Sequence, residues 1–295
     1  MNVNFSYPPR PQRRGRVIAL HCSGANAGQW SYLAEALGGS YEMLAPEHYG
    51  CESAGAWGGD HAFTLADEAH RTIGLIDRSE SKVHLVGHSY GGGVALAVAL
   101  ARPTRIASLA MYEPSAFHLL RLMGHAGADA FSEITSIARR ICRGVVTGDY
   151  RGAMEEFVDY WSGSGSFKAL RPGIQHGLVR WAPKAPLDFR ALIDETTSQE
   201  AYRSLAFPVL LLRGQHAPAP TRLIAERLDS LLPDSRLATI EGAGHMGPMT
   251  HAPEVSGAMV QFIETAQRGR FGAMWRAGAA GLAGAILRPV VEAAS

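Results

Sequence analysis

Lys82-Val83-His84-Leu85-Val86-Gly87-His88-Ser89-Tyr90-Gly91-Gly92-Gly93 is the stretch on which the reading of this chain turns. A short apolar run over residues 82–87 leads into a Gly-x-Ser-x-Gly pattern, and a run of small residues with helical character follows at once over 90–101. A serine between a strand and a helix sits on a sharp turn, where flanking glycines relieve crowding and the hydroxyl projects above the sheet. The helix N-terminus beneath it favours developing negative charge. Gly-x-Ser-x-Gly alone is a weak pattern, and its strand and helix flanks are what give it weight.

Outward from this turn the chain repeats the same alternation. Apolar runs at residues 17–21, 41–45, 106–112, 208–213 and 235–240 are bounded by turn residues. Helical periods cover 31–37, 65–77, 90–101, 221–232 and 253–268. This predicts an α/β fold with a mostly parallel, doubly wound sheet, whose ligands gather at the carboxyl ends of the strands. Between residues 115 and 206 the alternation stops, and helical patterns such as 134–142 and 150–160 take over without a strand. The expected organisation is a core of residues 1–114 and 207–268, an inserted helical cap over 115–206, and a C-terminal extension over 269–295. Phe157, Tyr160, Trp161, Trp181 and Phe189 in the cap suit a lid over a pocket, although a large apolar residue taken singly is more often packing.

Composition narrows the function classes. The 295 residues are 46% hydrophobic and 19% charged, which is a folded chain with a sizeable core. Twenty-eight Lys and Arg against 27 Asp and Glu leave no basic excess for a nucleic-acid backbone. Cys22, Cys51 and Cys142 have no paired spacing, which argues against a disulfide framework or a metal site and fits a reducing cytoplasm. No stretch approaches the roughly 18 uninterrupted apolar residues of a membrane span, and the Arg- and Pro-containing N-terminus lacks the apolar run of a secretory signal. With no His-Glu-x-x-His motif and no phosphate-loop lysine, no metal or organic cofactor is expected. In the tail, Phe271, Met274, Trp275, Leu282 and Ile286 recur at roughly helical spacing among arginines. Its glycines weaken a free amphipathic helix, so docking on the chain's own body or on a homodimer mate is expected ahead of a membrane surface.

A serine hydroxyl is a poor nucleophile at neutral pH and needs a base. His245 lies just past the last expected strand, in Glu241-Gly242-Ala243-Gly244-His245-Met246, where a glycine-rich loop can carry the imidazole back over the sheet. With the elbow, this histidine loop and His21-Cys22-Ser23-Gly24 up to Trp30 in that order, residues 16–268 resemble the α/β-hydrolase superfamily, serine-nucleophile branch with a helical cap. The resemblance implies catalytic Ser89 and His245, with the backbone N–H groups of Ser23 and Tyr90 forming the oxyanion hole. Cys22 stands where that family usually has glycine, and Glu47, in Leu44-Ala45-Pro46-Glu47 through Gly50 and Ser53, stands where Asp is common.

The acid departs from the commonest family pattern. Ala217, in Gly214-Gln215-His216-Ala217, occupies the position where Asp is expected. Glu113, at the end of the run 106–112, is the alternative, because the family's strand order sets this strand between the nucleophile strand and the usual acid strand. Some haloalkane dehalogenases are similar in taking their acid from here. Asp188 and Asp194 are weaker candidates. A serine nucleophile excludes the alkyl-ester chemistry of dehalogenases and epoxide hydrolases, which needs a carboxylate. The expectation is hydrolysis of an ester, thioester or related acyl bond of a small apolar molecule through Ser89, His245 and Glu113. The alternatives are a C–C bond hydrolase, a cofactor-free haloperoxidase, or a non-catalytic small-ligand-binding relative.

Overall fold

A computed structural model of the chain describes residues 13–269. The tail beyond residue 269 and its expected helix lie outside the described residues. Six strands, β1 (Arg16–Leu20), β2 (Glu42–Leu44), β3 (Val83–His88), β4 (Ile106–Tyr112), β5 (Val209–Gly214) and β6 (Ser235–Ile240), form one parallel sheet. Their order is β2-β1-β3-β4-β5-β6, so the winding direction reverses between β1 and β3. A ligand crevice belongs outside the carboxyl ends at that switch point.

Successive side chains of a strand point to opposite faces, and this divides the core in two. Ile18, Leu20, Leu85, Leu109, Met111, Val209 and Leu211 face the helices Leu65–Asp77, Tyr90–Ala101 and Ala219–Leu231. Val17, Ala19, Val86, Ala110, Tyr112, Leu210 and Leu212 face Ser31–Ala36 and Ala252–Gln267. Burial on both faces explains why the central strands read as nearly continuous apolar runs. The edge strand β6, Ser-Arg-Leu-Ala-Thr-Ile, is half-exposed and correspondingly more polar.

The expected boundaries shift by a residue or two for local reasons. The helix expected from residue 221 begins at Ala219, because Pro220 sits in its first turn, where a missing N–H removes no hydrogen bond. The nucleophile strand extends through His88, and the Ser89 amide still donates to the Tyr112 carbonyl of β4 at 3.1 Å.

From β4 to β5 the chain is helical, with no strand, and includes His125–Val146, Tyr150–Ser162, Pro172–Trp181 and Ala185–Ile193. Phe157, Trp161, Trp181 and Phe189 join the same apolar cluster as the sheet, so this segment packs on the core rather than around a core of its own. Tyr160, half-buried, packs against the same cluster, donates to Glu133 at 2.8 Å and lies edge-on to Trp161.

Candidate active site

Ser89 occupies a tight turn between β3 and the helix that follows it. Its φ of 53° and ψ of −118° are non-helical, while the next residue, Tyr90, already begins the helix Tyr90–Ala101. A β-carbon on Gly87 would lie 2.6 Å from the Gly91 carbonyl, and one on Gly91 would collide with the Leu20 carbonyl of β1. Both glycines are therefore demanded by backbone approach. Among the described residues, the non-glycine positions with positive φ are Ser89 and Glu113, at 53° and 41°. Such strain costs on the order of 1–3 kcal/mol and persists only where the surroundings over-determine it.

His245 is carried to Ser89 by the loop after β6. Its Nε2 lies 2.9 Å from Ser89 Oγ, and its Nδ1 lies 2.7 Å from Glu113 Oε2. A carboxylate can only accept, so the proton sits on Nδ1 and Nε2 is left to accept from the serine hydroxyl. The loop is anchored twice by its backbone: Tyr112 donates to the Gly244 carbonyl at 2.7 Å and His88 Nε2 donates to the His245 carbonyl at 2.9 Å. Burial, reinforced by the nearby His245, pushes the His88 pKa well below the usual histidine value and keeps that ring neutral. Trp161 stacks on His245 with ring centroids 4.1 Å apart.

Glu113 is fully buried just past β4. Its amide continues the ladder to the Leu212 carbonyl at 2.8 Å, and then the backbone turns. Oε1 accepts from the Gly214 amide at 2.8 Å, while Oε2 accepts from Thr221 Oγ1 at 2.8 Å as well as from His245. The carboxylate is thus fixed by β5 and by the helix that follows it, the elements that flank the usual position of the acid. Ala217 contributes only backbone, its amide donating to the Gly214 carbonyl at 3.2 Å.

The weaker acid candidates are placed elsewhere. Asp194 is exposed and pairs with Arg190 at 3.4 Å. Asp188 is buried, accepts from Ser23 Oγ at 2.5 Å and pairs with Lys184. Lys184 also lies 2.9 Å from Glu68 Oε2, to which the Tyr90 hydroxyl donates at 2.8 Å. Burial works to lower the Lys184 pKa, but Asp188 and Glu68 outweigh it and hold the ammonium above its ordinary value. Burial likewise works to raise Glu68, and its contacts with His48 and Lys184 reverse this and hold its carboxyl well below the usual range. This cluster ties the side chains of Ser23 and Tyr90, whose amides were the expected oxyanion pair, to the helical segment between β4 and β5.

The His21-Cys22-Ser23-Gly24 loop is braced from within. His21 Nδ1 donates to the Cys22 carbonyl at 2.8 Å, its Nε2 accepts from the His48 amide at 3.2 Å, and the Cys22 amide donates to Gln29 at 3.1 Å. Burial and the neighbouring His48 lower the His21 pKa to about 3. Glu47 and Ser53 of the following loop are hydrogen-bonded to each other. Burial raises the Cys22 thiol to about 12 and Cys51, aided by Glu47, to about 11, so neither is a ready thiolate. All three cysteines are free.

Residue-type reasoning did not find Thr221, His88, Ser115 or the Lys184 cluster. Ser115 Oγ lies 3.3 Å from Ser89 Oγ, yet its sequence context is an ordinary strand-end turn. Thr221 and Glu113 are 108 positions apart, and no local pattern links them. Ser89 and His245 open onto a cavity of about 650 Å³, bordered also by Trp161, Leu178, Met246 and Arg171. That volume suits a small organic molecule.

A parallel α/β sheet that presents a serine on a strained strand-to-helix turn, with an imidazole and a carboxylate in line behind it, defines a hydrolase of the nucleophile-elbow class. The model of the alpha/beta hydrolase family matches residues 17–258, and the chain belongs to that family. It is 24% identical over 257 residues to the pimeloyl-[acyl-carrier protein] methyl ester esterase of Aeromonas hydrophila, covering 84% of this chain and 94% of that protein. With the enzyme of the same name from Aeromonas salmonicida the identity is 27% over 259 residues, covering 84% and 92%. Among solved structures, MenH from S. aureus superposes with a TM-score of 0.66 at 18% identity, covering 88% of this chain and 97% of that one. The enol-lactonase from Burkholderia xenovorans superposes with a TM-score of 0.65 at 15% identity, covering 87% and 94%. Among the described residues, no helix is long and apolar enough to cross a membrane.

Proposed function

We propose that the chain is a serine esterase, cleaving an ester, thioester or related acyl bond of a small, largely apolar molecule. The observation that carries this reading is the unbroken line from Glu113 through His245 to Ser89, with contacts of 2.7 and 2.9 Å, ending on the wall of the large cavity. Likeness to methyl ester esterases along most of the chain supports the ester as the bond.

In this reading Ser89 Oγ attacks the acyl carbon while its proton passes to His245 Nε2, and Glu113 stabilises the imidazolium that forms. The negative oxygen of the tetrahedral intermediate turns toward the amides of Ser23 and Tyr90. Tyr90 is the first residue of its helix, so its amide has no intrahelical acceptor and is available. His245 then gives its proton to the leaving group, and water hydrolyses the acyl-enzyme by the same steps. The helical segment 115–206 serves as the cap, and the cytoplasm as the compartment.

Labelling with a fluorescent fluorophosphonate tests the assignment. Wild type is expected to label and Ser89→Ala, folded by circular dichroism, to remain dark. Absence of label on folded wild type would favour the non-catalytic, ligand-binding alternative. Label retained by Ser89→Ala would place the nucleophile elsewhere.

A further inference from the structure

Ser115 is a buried serine whose hydroxyl has one hydrogen-bonding partner among the described residues, Ser89 Oγ at 3.3 Å. The turn after β4 sets its place. Glu113, with its φ of 41°, begins that turn, and Pro114 and Ser115 then lie against the start of the helix Tyr90–Ala101. A β-carbon on Gly92 would lie 2.7 Å from Pro114 Cβ, and one on Gly93 would lie 2.5 Å from the Ser115 carbonyl oxygen. Both glycines fall outside the Gly-x-Ser-x-Gly pattern, and this close approach is what demands them. The Ser115 amide closes the contact by donating to the Ser89 carbonyl at 2.9 Å. One short turn therefore carries both the carboxylate that meets His245 and a hydroxyl that meets the nucleophile.

Counting protons fixes the direction of that contact. Glu113 accepts from His245 Nδ1, so Nε2 carries no proton and accepts from the Ser89 hydroxyl. A hydroxyl has one proton, and that of Ser89 is thereby committed. Of the two serines, only Ser115 is left to donate to the other. We propose that Ser115 is a further catalytic residue, whose hydroxyl donates to Ser89 Oγ and stabilises the negative charge that this oxygen gathers as it attacks and as it leaves. This rests on the serine esterase reading above and adds a group to its site. At 3.3 Å the bond is long for two hydroxyls and hence weak in the resting site. Hydrogen bonds to an ionised oxygen are shorter and roughly twice as strong. The contact thus strengthens toward the transition state, which is the condition for accelerating the reaction.

The chemistry balances as ordinary hydrolysis. In acylation the Ser89 Oγ–acyl bond forms, the leaving-group bond breaks, and the leaving group departs with the proton that His245 took from Ser89. In deacylation water adds to the acyl carbon and gives a proton to His245, the acyl–Oγ bond breaks, and Ser89 Oγ recovers that proton as the acid departs. Ser115 keeps its own proton throughout and acts only as a donor.

The kinetics of fluorophosphonate labelling separate this role from packing, because they read attack by Ser89 whatever the natural ester is. Time courses at several probe concentrations give a maximal rate constant and a half-saturating concentration. Both are taken relative to the labelled end point, so unfolded protein does not count. Ser115→Ala is expected to lower the maximal rate constant about tenfold, with the half-saturating concentration within about twofold of wild type. Ser115→Thr keeps the hydroxyl and is expected to stay within about threefold of wild type. Ser115→Cys fills the serine's space with a weaker donor, and a fall of about fivefold is expected; it carries the test if the alanine variant does not fold. A maximal rate constant unchanged in Ser115→Ala or in Ser115→Cys would overturn the proposal. So would an equal fall in Ser115→Thr, or a change confined to the half-saturating concentration. Folded wild type that takes no label would instead overturn the esterase reading beneath it.

Discussion

Two groups of buried polar side chains meet at the turn of Ser89 and Tyr90, one through the Ser89 hydroxyl and the other through the Tyr90 hydroxyl, and they are buried alike. Glu113, His245 and Ser89 are 0%, 2% and 6% exposed, against 2%, 4% and 3% for Glu68, Lys184 and Asp188. What separates them is where the hydrogen bonds end. The first line terminates on a hydroxyl at a cavity wall. In the second, the ammonium is closed in by two carboxylates, the Tyr90 hydroxyl at 3.3 Å and the ring of Phe63 at 4.4 Å. Burial and perturbed titration alone therefore do not mark a reacting group. The enclosed cluster holds structure together, joining the segment between β4 and β5 to the helix Leu65–Asp77 and to the loop of Ser23.

The comparison is broken most directly at Glu113. Glu113→Gln keeps an oxygen for the Gly214 amide but turns an NH₂ toward His245 Nδ1, which favours the wrong tautomer. A fall in kcat of about 10³–10⁴ is expected on a measured ester; a fall below about tenfold would mean that the acid lies elsewhere. Lys184→Met tests the other side. It leaves Glu68 and Asp188 facing each other without their cation, and urea unfolding is expected to show a loss of about 3–5 kcal/mol. Adding Glu68→Gln and Asp188→Asn should restore most of that loss, and an unchanged midpoint in the single variant would deny the cluster its structural role.

Thr221→Val sharpens the same contrast at lower cost. It removes one hydrogen bond to a buried carboxylate, worth about 1.5–3 kcal/mol, while leaving the Gly214 and His245 contacts. Slower turnover with full Ser89 labelling at long times is expected, together with a lower urea midpoint. The smallest effect per group comes from buried neutral histidines. Burial, with His48 nearby, holds His21 at about 3, and burial, partly opposed by Glu195, holds His118 at about 4. These folded values lie below the unfolded value near 6.5, so at intermediate pH the unfolded chain binds more protons. Stability is then present above about pH 6.5 and falls on acidification by about 1.4 kcal/mol per pH unit for each group, until the folded pKa is reached. Urea midpoints measured from pH 7 to pH 5 check this, and a flat profile would contradict it.

The local part of the fold was legible because local physics makes it. The helices over residues 65–77 and 90–101 and the strands over 106–112 and 235–240 have the expected bounds. The first of these is closed by a capping box between Thr64 and Asp67, and the second is uniformly apolar because it is almost entirely buried. Where the reading stopped was at contacts between distant elements. Asp188 offered itself as an acid by residue type, yet its helix turns it toward Ser23 and Lys184. Trp161 could have been lid or core by composition, and the structure packs it in the apolar cluster while stacking it on His245.

By itself, then, the order of residues determined the parallel α/β class, the turn that presents Ser89 and the loop that carries His245. Each follows from backbone geometry and side-chain period within a few residues, which neighbours along the chain settle. Only the tertiary structure decided that Glu113 meets His245, that Thr221 and Gly214 hold it there, and that Ser89 borders a cavity of about 650 Å³. Those outcomes depend on strand order and on how helices from remote parts of the chain pack over the carboxyl ends of the sheet. Packing of that kind is set by shape and volume across hundreds of contacts, and no spacing along the chain encodes it.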